Sequence, residues 1–297
     1  MSTLFTGLSA FPLTPADPNG IVDTTAIGVL VERLVAAGVD SIGLLGSTGI
    51  YAYLDRIQRG RAVAAAVEAT GGRVPLVVGI GALRTSWAIQ LAVDAERAGV
   101  CGLLLAPMSY ATLTDNEAAA HYRAVAGATA LPLCIYNNPG TTNFSFSDAL
   151  ICELAAMPGI AGIKMPLPAD DDYAGELARL RASTPEKFAI GYSGDWGAAP
   201  SLLAGCDAWF SVVAGLLPEP SLRMTRAAQQ DDAAEVAAID AAFAPLWALF
   251  KAHGSLRVMY VVADRLSLSV GDPPLPIMRV SADIMAAVET ALEHLGV

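Results

Sequence analysis

The chain has 297 residues, of which 54% are hydrophobic and 16% are charged, and its formal net charge at pH 7 is −11. This apolar content is enough for a large core and for subunit interfaces, and the length suits one large α/β domain or two ordinary ones. Because the net charge is negative and no basic stripe is present, neither nucleic acid nor an anionic membrane surface is expected as a binding partner.

Eight short apolar runs are predicted to be strands. Most are apolar on both alternating faces, which is typical of parallel strands buried on two sides. In chain order the runs are TGLSAFPL (6–13), SIGLLG (41–46), PLVVGIG (75–81), GLLLAP (102–107), LPLCIYN (131–137), IAGIKMP (160–166), FAIGYSG (188–194) and AWFSVVA (208–214).

Alanine-rich segments with helical spacing lie between these runs. In the first, Ile27 and Leu30 begin a repeat at three and four residues, and Gly38 ends it. Eight strand–helix units predict an α/β fold, a TIM (β/α)₈ barrel, over residues 1–230. A doubly wound open sheet is the alternative, which the number and even spacing of the units disfavour. Residues 231–297 are predicted to be only helical, as a C-terminal extension packed on the barrel.

The cysteines and the uncharged segments indicate the compartment. Cys101, Cys134, Cys152 and Cys206 are scattered, without a CxxC motif or a nearby histidine, which predicts reduced thiols in a cytoplasmic protein. The first residues lack the basic region of a secretory signal, and the longest uncharged run, 124–147, contains two prolines. No membrane span is therefore expected.

Polar residues recur where the predicted strands end. In a parallel barrel the loops after the strands build the active site, so these residues are expected to meet at one mouth. They are the GSTG turn (46–49) after the second strand, Tyr136 at the end of the fifth, Lys164 in the sixth, GYSGDW (191–196) after the seventh and Ser211 in the eighth.

Lys164 is a lysine inside an apolar run, where an unpaired charge is costly. Loss of solvation favours the neutral amine, which can attack a ketone and form a Schiff base, an electron sink for making or breaking the adjacent carbon–carbon bond. Tyr136 could relay protons through the hydroxyl of Ser47 or Thr48, and backbone N–H groups of the turn around Gly49 could hold a carboxylate. A solvated lysine, a core tyrosine and an ordinary capping turn remain the alternatives.

Three motifs, GSTG, YNNPG and GIK, occur in an order and at intervals that resemble the dihydrodipicolinate synthase/N-acetylneuraminate lyase family of pyruvate aldolases. The resemblance extends over nearly the whole chain. It implies a TIM barrel, a homotetramer built as a dimer of dimers, and no metal or organic cofactor. It also implies that Lys164 is the Schiff-base lysine, that Tyr136 shuttles the proton, and that Ser47 and Thr48 bind the ketoacid carboxylate and complete the relay.

Further residues are expected to contact substrate at the same mouth. They are Gly49, Thr141, Gly191, Asp195 and Ser211.

The chain departs from the family pattern at positions that bear on the substrate. Thr141 stands where the synthases carry an arginine that grips a second carboxylate, and Trp196 stands where sialic acid lyases have a glutamate. Ile50 replaces the glutamate that usually ends the first motif. In the family an aromatic pair usually follows the proline after the fourth strand, and here Met108-Ser109 replaces it. Tyr110 is therefore the candidate to complete the proton relay at the site of a neighbouring subunit.

The sequence therefore predicts a class I aldolase or lyase that acts on pyruvate or a pyruvate-derived 2-oxo acid, together with an aldehyde. Three alternatives stay open. They are a dehydratase of 2-keto-3-deoxy acid sugars, a 4-hydroxy-tetrahydrodipicolinate synthase, and a ketoacid-binding protein without catalysis. The MPLP segment (165–168) after Lys164 replaces polar residues that sialic acid lyases use on sugar hydroxyls, so the substrate stays open as well.

Overall fold

The computed structural model describes residues 4–297. Eight parallel strands pair in chain order, and the eighth pairs with the first, so the sheet closes into a barrel. The strands are β1 (Gly7–Ala10), β2 (Ser41–Leu44), β3 (Leu76–Gly79), β4 (Gly102–Leu105), β5 (Leu133–Tyr136), β6 (Ile160–Met165), β7 (Ala189–Tyr192) and β8 (Ala208–Ser211). The predicted TIM barrel is confirmed, and the open sheet is excluded.

Helices follow the strands and surround the barrel. Within the described part of the chain they are α1 (Thr24–Ala37), α2 (Arg56–Thr70), α3 (Thr85–Ala98), α4 (Asp115–Ala126), α5 (Pro139–Thr142), α6 (Asp148–Ala155), α7 (Tyr173–Ser183), α8 (Ala198–Leu203), α9 (Pro218–Gln229), α10 (Ala233–His253), α11 (Ser255–Arg265) and α12 (Ala282–Leu295).

Helix α1 illustrates how local sequence sets these elements. The Asp23 side chain accepts a hydrogen bond from the backbone N–H of Ala26 and caps the first turn. Ile27 and Leu30 are buried on the face that meets the barrel. Gly38 ends the helix with a φ of 78°, a left-handed conformation that glycine adopts without steric cost. The helix thus ends at the glycine that the sequence predicted.

The core has two apolar layers. The larger lies between the strands and the helices, and the smaller fills the barrel interior around Phe11, Leu104, Tyr136 and Phe210. Gly43 makes room for the interior layer, because a Cβ atom there would lie 2.1 Å from the Phe11 ring. Close packing of such large rings inside the barrel supports the residues at its mouth.

The C-terminal extension consists of α10, α11 and α12, and α10 packs against both α9 and α12. The prediction of helices alone is wrong for residues 266–281, which form no helix. Pro273, Pro274 and Pro276 account for this difference, since proline lacks the N–H donor that a helix interior needs.

Helix α10 is long and apolar enough, by length and composition alone, to cross a membrane. Its 21 residues include a window with a mean hydropathy of 1.5. Val236, Ile239, Phe243 and Phe250 are nevertheless buried against the rest of the protein. Core helices of globular proteins meet the same criteria, so no membrane assignment follows from this helix.

Candidate active site

Lys164 lies near the end of β6, between Tyr136 of β5 and Gly191 of β7 in the strand register. Neighbouring strands are about 4.8 Å apart, so these residues are immediate neighbours across the sheet. The Lys164 side chain points into the barrel and is only 3% exposed. The register of β5 and β6 therefore brings the predicted nucleophile and the predicted proton carrier together.

Aromatic rings enclose the Lys164 amine. Its Nζ atom lies 4.1 Å from the centroid of the Phe11 ring, 4.4 Å from that of Tyr136 and 5.7 Å from that of Phe210. Such contacts favour a cation only modestly compared with a carboxylate partner. Across residues 4–297, no ion pair involves Lys164. Within the described residues the amine is therefore not held in a salt bridge, and its role as a nucleophile stays a prediction.

The Tyr136 hydroxyl is the centre of a short polar network. It lies 3.2 Å from the Ser47 hydroxyl, and it accepts a hydrogen bond of 3.0 Å from the Asn138 side-chain amide. Because Asn138 donates to the phenol oxygen, the phenol hydrogen is available to Ser47. This arrangement connects the barrel interior to the turn after β2 by hydrogen bonds, and its use as a proton path stays a prediction. We call Ser47, Tyr136 and Lys164 together the pocket floor.

The turn that carries Ser47 and Thr48 is conformationally strained at both ends. Leu45 has a φ of 58° and Ile50 a φ of 50°, both in the left-handed region that side chains rarely adopt. For Ile50, a β-branched residue, this conformation is especially unfavourable, and the buried side chain packs in the core. Packing thus holds a strained turn in place and fixes the two hydroxyl residues.

An open pocket of about 450 Å³ lies above the floor. Six of the predicted site residues line it, namely Ser47, Thr48, Tyr136, Thr141, Lys164 and Asp195. The remaining lining comes from Phe11, Asn138, Pro166, Leu167, Ser193, Gly194, Trp196, Val212, Phe250 and Ser255. The volume suits a small ketoacid together with a second small reactant.

Asp195 lines the pocket, but its carboxyl group is directed into the protein. One oxygen accepts hydrogen bonds from Trp209 Nε1 at 3.0 Å and the Val212 N–H at 3.2 Å, and the other accepts one from the Val213 N–H at 2.8 Å. Burial raises the pKa of the Asp195 carboxyl group, and these donors oppose the shift. Its observed role is to hold the loop after β8, and contact with substrate stays a prediction.

Three other predicted substrate contacts do not line this pocket. Gly49 belongs to the tight turn, where a Cβ atom would lie 3.0 Å from the backbone of Leu45. Gly191 leaves room for the Phe210 ring, since a Cβ atom there would lie 2.6 Å from it. The fully buried Ser211 accepts a hydrogen bond of 3.0 Å from the Ala214 N–H. The packing of these residues supports the site from behind, and their direct contact with substrate stays a prediction.

Tyr110, the candidate to complete the proton relay, is also absent from the pocket lining. Its side chain is 99% exposed on the outside of this chain. A role at the site of a neighbouring subunit stays a prediction.

Several residues of the site escaped prediction. Asn138 was inside a recognised motif, and its place two residues after Tyr136 at a strand end could have indicated its contact with the phenol. Phe11, just after β1, and Phe210 of β8 reach Lys164 from parts of the chain distant in sequence. Phe250 reaches the pocket from the extension. No local pattern marks these three, because only the closed barrel brings them together.

The four cysteines have no disulfide partner, and within residues 4–297 no group of three or more His, Cys, Asp or Glu side chains could hold a metal ion. The expectation that the reaction needs no cofactor stays a prediction.

The chain is similar to known proteins over nearly its whole length. The profile of the dihydrodipicolinate synthetase family matches residues 4–295. The 4-hydroxy-tetrahydrodipicolinate synthase of Methylococcus capsulatus is 34% identical over 289 residues, 96% of each chain, and that of an Azoarcus species is 32% identical over 99% of each chain. The crystal structure of a dihydrodipicolinate synthase from Agrobacterium tumefaciens superimposes with a TM-score of 0.97 at 60% sequence identity, covering 99% of both chains.

Proposed function

Because the chain belongs to the dihydrodipicolinate synthetase family, whose members are lyases of the class I aldolase type, we propose that Lys164 forms a Schiff base with pyruvate or a pyruvate-derived 2-oxo acid. The observation that carries the proposal is the buried Lys164 amine, unpaired and in contact with the Tyr136 ring at the pocket floor. A nucleophilic lysine needs such an unpaired position, whereas a protein that only binds a ketoacid does not.

The proposed reaction consists of imine formation, proton transfers, carbon–carbon bond formation and hydrolysis, and it needs no oxidant or reductant. The Lys164 amine attacks the keto carbon, and the keto oxygen leaves as water to give the imine. Loss of a proton from the neighbouring carbon gives the enamine, which attacks the carbonyl carbon of an aldehyde and forms the new carbon–carbon bond. The aldehyde oxygen takes up a proton, and water then hydrolyses the imine and restores the amine. The same steps in reverse cleave the bond.

The other residues act on protons and on the carboxylate. Tyr136 carries the proton, with Ser47 as the next member of the path and Asn138 holding the phenol in position. Ser47 and Thr48 hold the ketoacid carboxylate, with help from backbone N–H groups near Gly49. Thr141, an exposed residue of the pocket lining, is proposed to contact the second reactant.

Exchange of pyruvate methyl protons in D₂O tests this proposal without knowledge of the aldehyde. The enamine step predicts deuterium incorporation into pyruvate at a rate that follows enzyme concentration, measured by ¹H NMR. Lys187→Arg, a change at an exposed lysine, is the matched control and is expected to exchange like the natural protein. A protein that binds pyruvate but does not exchange its protons would be a ketoacid-binding protein, and the proposal would be wrong.

4-Hydroxy-tetrahydrodipicolinate synthase activity is the second candidate, because curated relatives at 34% and 32% identity carry that name. Thr141 in place of an arginine counts against it. A 2-keto-3-deoxy acid-sugar dehydratase would use the same imine, with water rather than an aldehyde leaving. Adding an acid sugar or an aldehyde to the exchange assay separates these alternatives by the product formed.

We also propose a homotetramer, built as a dimer of dimers. An open groove containing Leu83, Trp87 and Met108 supports an interface with a second copy, since Leu83 and Trp87 are large exposed apolar residues. Tyr110, two residues after Met108, could reach the neighbouring site across such an interface. Sedimentation velocity is expected to give a tetramer, and Trp87→Asp to give smaller species.

The remaining proposals concern organisation and location. We propose a barrel at residues 1–230 and an extension at 231–297 that is not a separate catalytic domain, since Phe250 and Ser255 of the extension line the pocket. Free cysteines and an acidic net charge of −11 support a cytoplasmic enzyme that acts on small molecules.

A further inference from the structure

The pocket contains a single cationic side chain, Lys164. In the proposed reaction the Lys164 nitrogen becomes part of the imine and then of the uncharged enamine. It therefore cannot also neutralise a charge on the second reactant. Asp195 is the other ionisable lining residue apart from Tyr136. Its carboxyl oxygens accept from three N–H donors, one on Trp209 of β8 and two in the loop after β8. A carboxylate on the second reactant would therefore enter the pocket without a cation to pair with, which is unfavourable for a buried charge.

Much of the pocket lining is apolar. We call Leu167, Trp196, Val212 and Phe250 the apolar wall. Gly194 and Gly197 leave room for the Leu167 side chain, since a Cβ atom would lie 2.9 Å from it at Gly194 and 2.6 Å from it at Gly197. Trp196 is 40% exposed, so part of its indole ring is available to a ligand. An apolar ligand surface against this wall would leave water favourably.

Apart from the hydroxyls proposed to act on pyruvate, the pocket lining has few neutral polar side chains, namely Asn138, Thr141, Ser193 and Ser255. Asn138 and Ser193 among them donate hydrogen bonds within the protein. The Ser193 hydroxyl donates to the Met165 carbonyl at 3.1 Å, and the Asn138 amide donates to the Tyr136 hydroxyl at 3.0 Å. A chain of sugar hydroxyls needs several unpaired donors and acceptors, because each buried hydroxyl without a partner is costly. A polyhydroxylated second reactant is therefore disfavoured as well.

We infer that the second reactant, or the aldehyde released in the cleavage direction, is an uncharged aldehyde with an apolar aliphatic or aromatic body. This inference rests on the proposed Schiff-base function and specifies its substrate class. The carbonyl carbon meets the enamine above Lys164, and the apolar body lies against Trp196 and the rest of the apolar wall. The bond formed is between the enamine carbon and the aldehyde carbon, and the aldehyde oxygen becomes a hydroxyl group.

A matched pair of aldehydes tests the inference on the full chain. Butanal and 4-oxobutanoate have the same carbon chain and differ in a terminal methyl or carboxylate group, and benzaldehyde and glyceraldehyde extend the test to aromatic and hydroxylated bodies. With pyruvate present, we expect kcat/KM for butanal or benzaldehyde to exceed that for 4-oxobutanoate and glyceraldehyde by about tenfold or more. Equal or better use of 4-oxobutanoate or glyceraldehyde would overturn the inference.

Thr141→Arg sharpens the test because it adds a cation at an exposed position of the pocket. The ratio of kcat/KM for 4-oxobutanoate to that for butanal is expected to rise about tenfold, whereas Thr141→Gln, of similar length but neutral, leaves it unchanged.

Borohydride reduction with pyruvate alone distinguishes failure of this inference from failure of the proposed Schiff-base function. If an adduct on Lys164 forms but neither butanal nor benzaldehyde is consumed, the inference is wrong and the Schiff-base function stands. If no adduct forms, the proposed function itself is wrong.

Discussion

The pocket floor and the apolar wall are built from different parts of the chain. Tyr136 and Lys164 of the floor face each other across paired strands, so the hydrogen-bonding register of the barrel fixes their separation. Leu167 of the wall lies in the loop after β6, Trp196 lies in a short 3-10 helical turn after β7, and Phe250 comes from the C-terminal extension. We therefore expect the reaction class to depend on the barrel strands, and the choice of substrate to depend on the segments that carry the wall.

The largest effect is expected at the floor. Lys164→Arg should reduce pyruvate consumption by roughly four orders of magnitude or more, because arginine stays protonated and cannot form the imine. A circular dichroism spectrum and melting curve like those of the natural protein would show that the fold is kept. Measurable turnover by a folded Lys164→Arg protein would show that the pocket floor does not contain the nucleophile. The proposed difference between the floor and the apolar wall would then be wrong.

Tyr136→Phe should have the next largest effect. The phenol hydroxyl is lost while the ring beside Lys164 remains, so the proton step slows by about 10²–10⁴-fold and the amine can still form an adduct. Steady-state kinetics with mass measurement of the borohydride-reduced adduct checks both parts. Asn138→Asp is a useful partner variant, because it replaces the amide that donates to the phenol. Full activity of Tyr136→Phe would exclude the proposed proton path.

Asp195→Ala tests a residue that lies between floor and wall. It removes the acceptor for three buried N–H groups, so the free energy of unfolding in urea should fall by about 2–4 kcal/mol. Asp195→Asn keeps one acceptor oxygen and should lose less. If stability is unchanged while the KM for pyruvate rises strongly, Asp195 contacts substrate directly, as the sequence predicted.

The smallest effect is expected at the apolar wall. Trp196→Ala removes a half-exposed indole, which should raise the KM for an apolar aldehyde about three- to tenfold, or about 0.7–1.4 kcal/mol. The loss in kcat/KM should be larger for the aldehyde than for pyruvate, and Trp196→Phe should restore part of it. An equal loss of kcat/KM for the aldehyde and for pyruvate would mean that the apolar wall does not act on the aldehyde alone.

The division between floor and wall also explains what the sequence could predict. All eight strands were found, because buried parallel strands are continuous apolar runs, and Lys164 and Tyr136 stood out as polar residues in such runs. Strand ends were overestimated by several residues, as for 6–13 against the observed Gly7–Ala10. Apolar runs continue into the loops, so composition does not mark where pairing stops.

The neighbours of the floor were harder to predict. Phe11 lies beside Lys164 because the barrel closes, and Phe250 reaches the pocket because the extension folds back, and neither event leaves a local pattern. Ser211 was expected at the pocket because it is polar and near a strand end, but its hydroxyl accepts from the Ala214 N–H. A polar residue at a strand end can satisfy the backbone as well as a substrate, and sequence alone does not separate these roles.

The most direct test of the central claim is reduction of the enzyme with borohydride in the presence of pyruvate, followed by mass analysis of its peptides. We expect one pyruvate-derived adduct per chain, located on Lys164, and none without pyruvate. An adduct on Lys187 or Lys251 instead, or no adduct at all, would contradict the account.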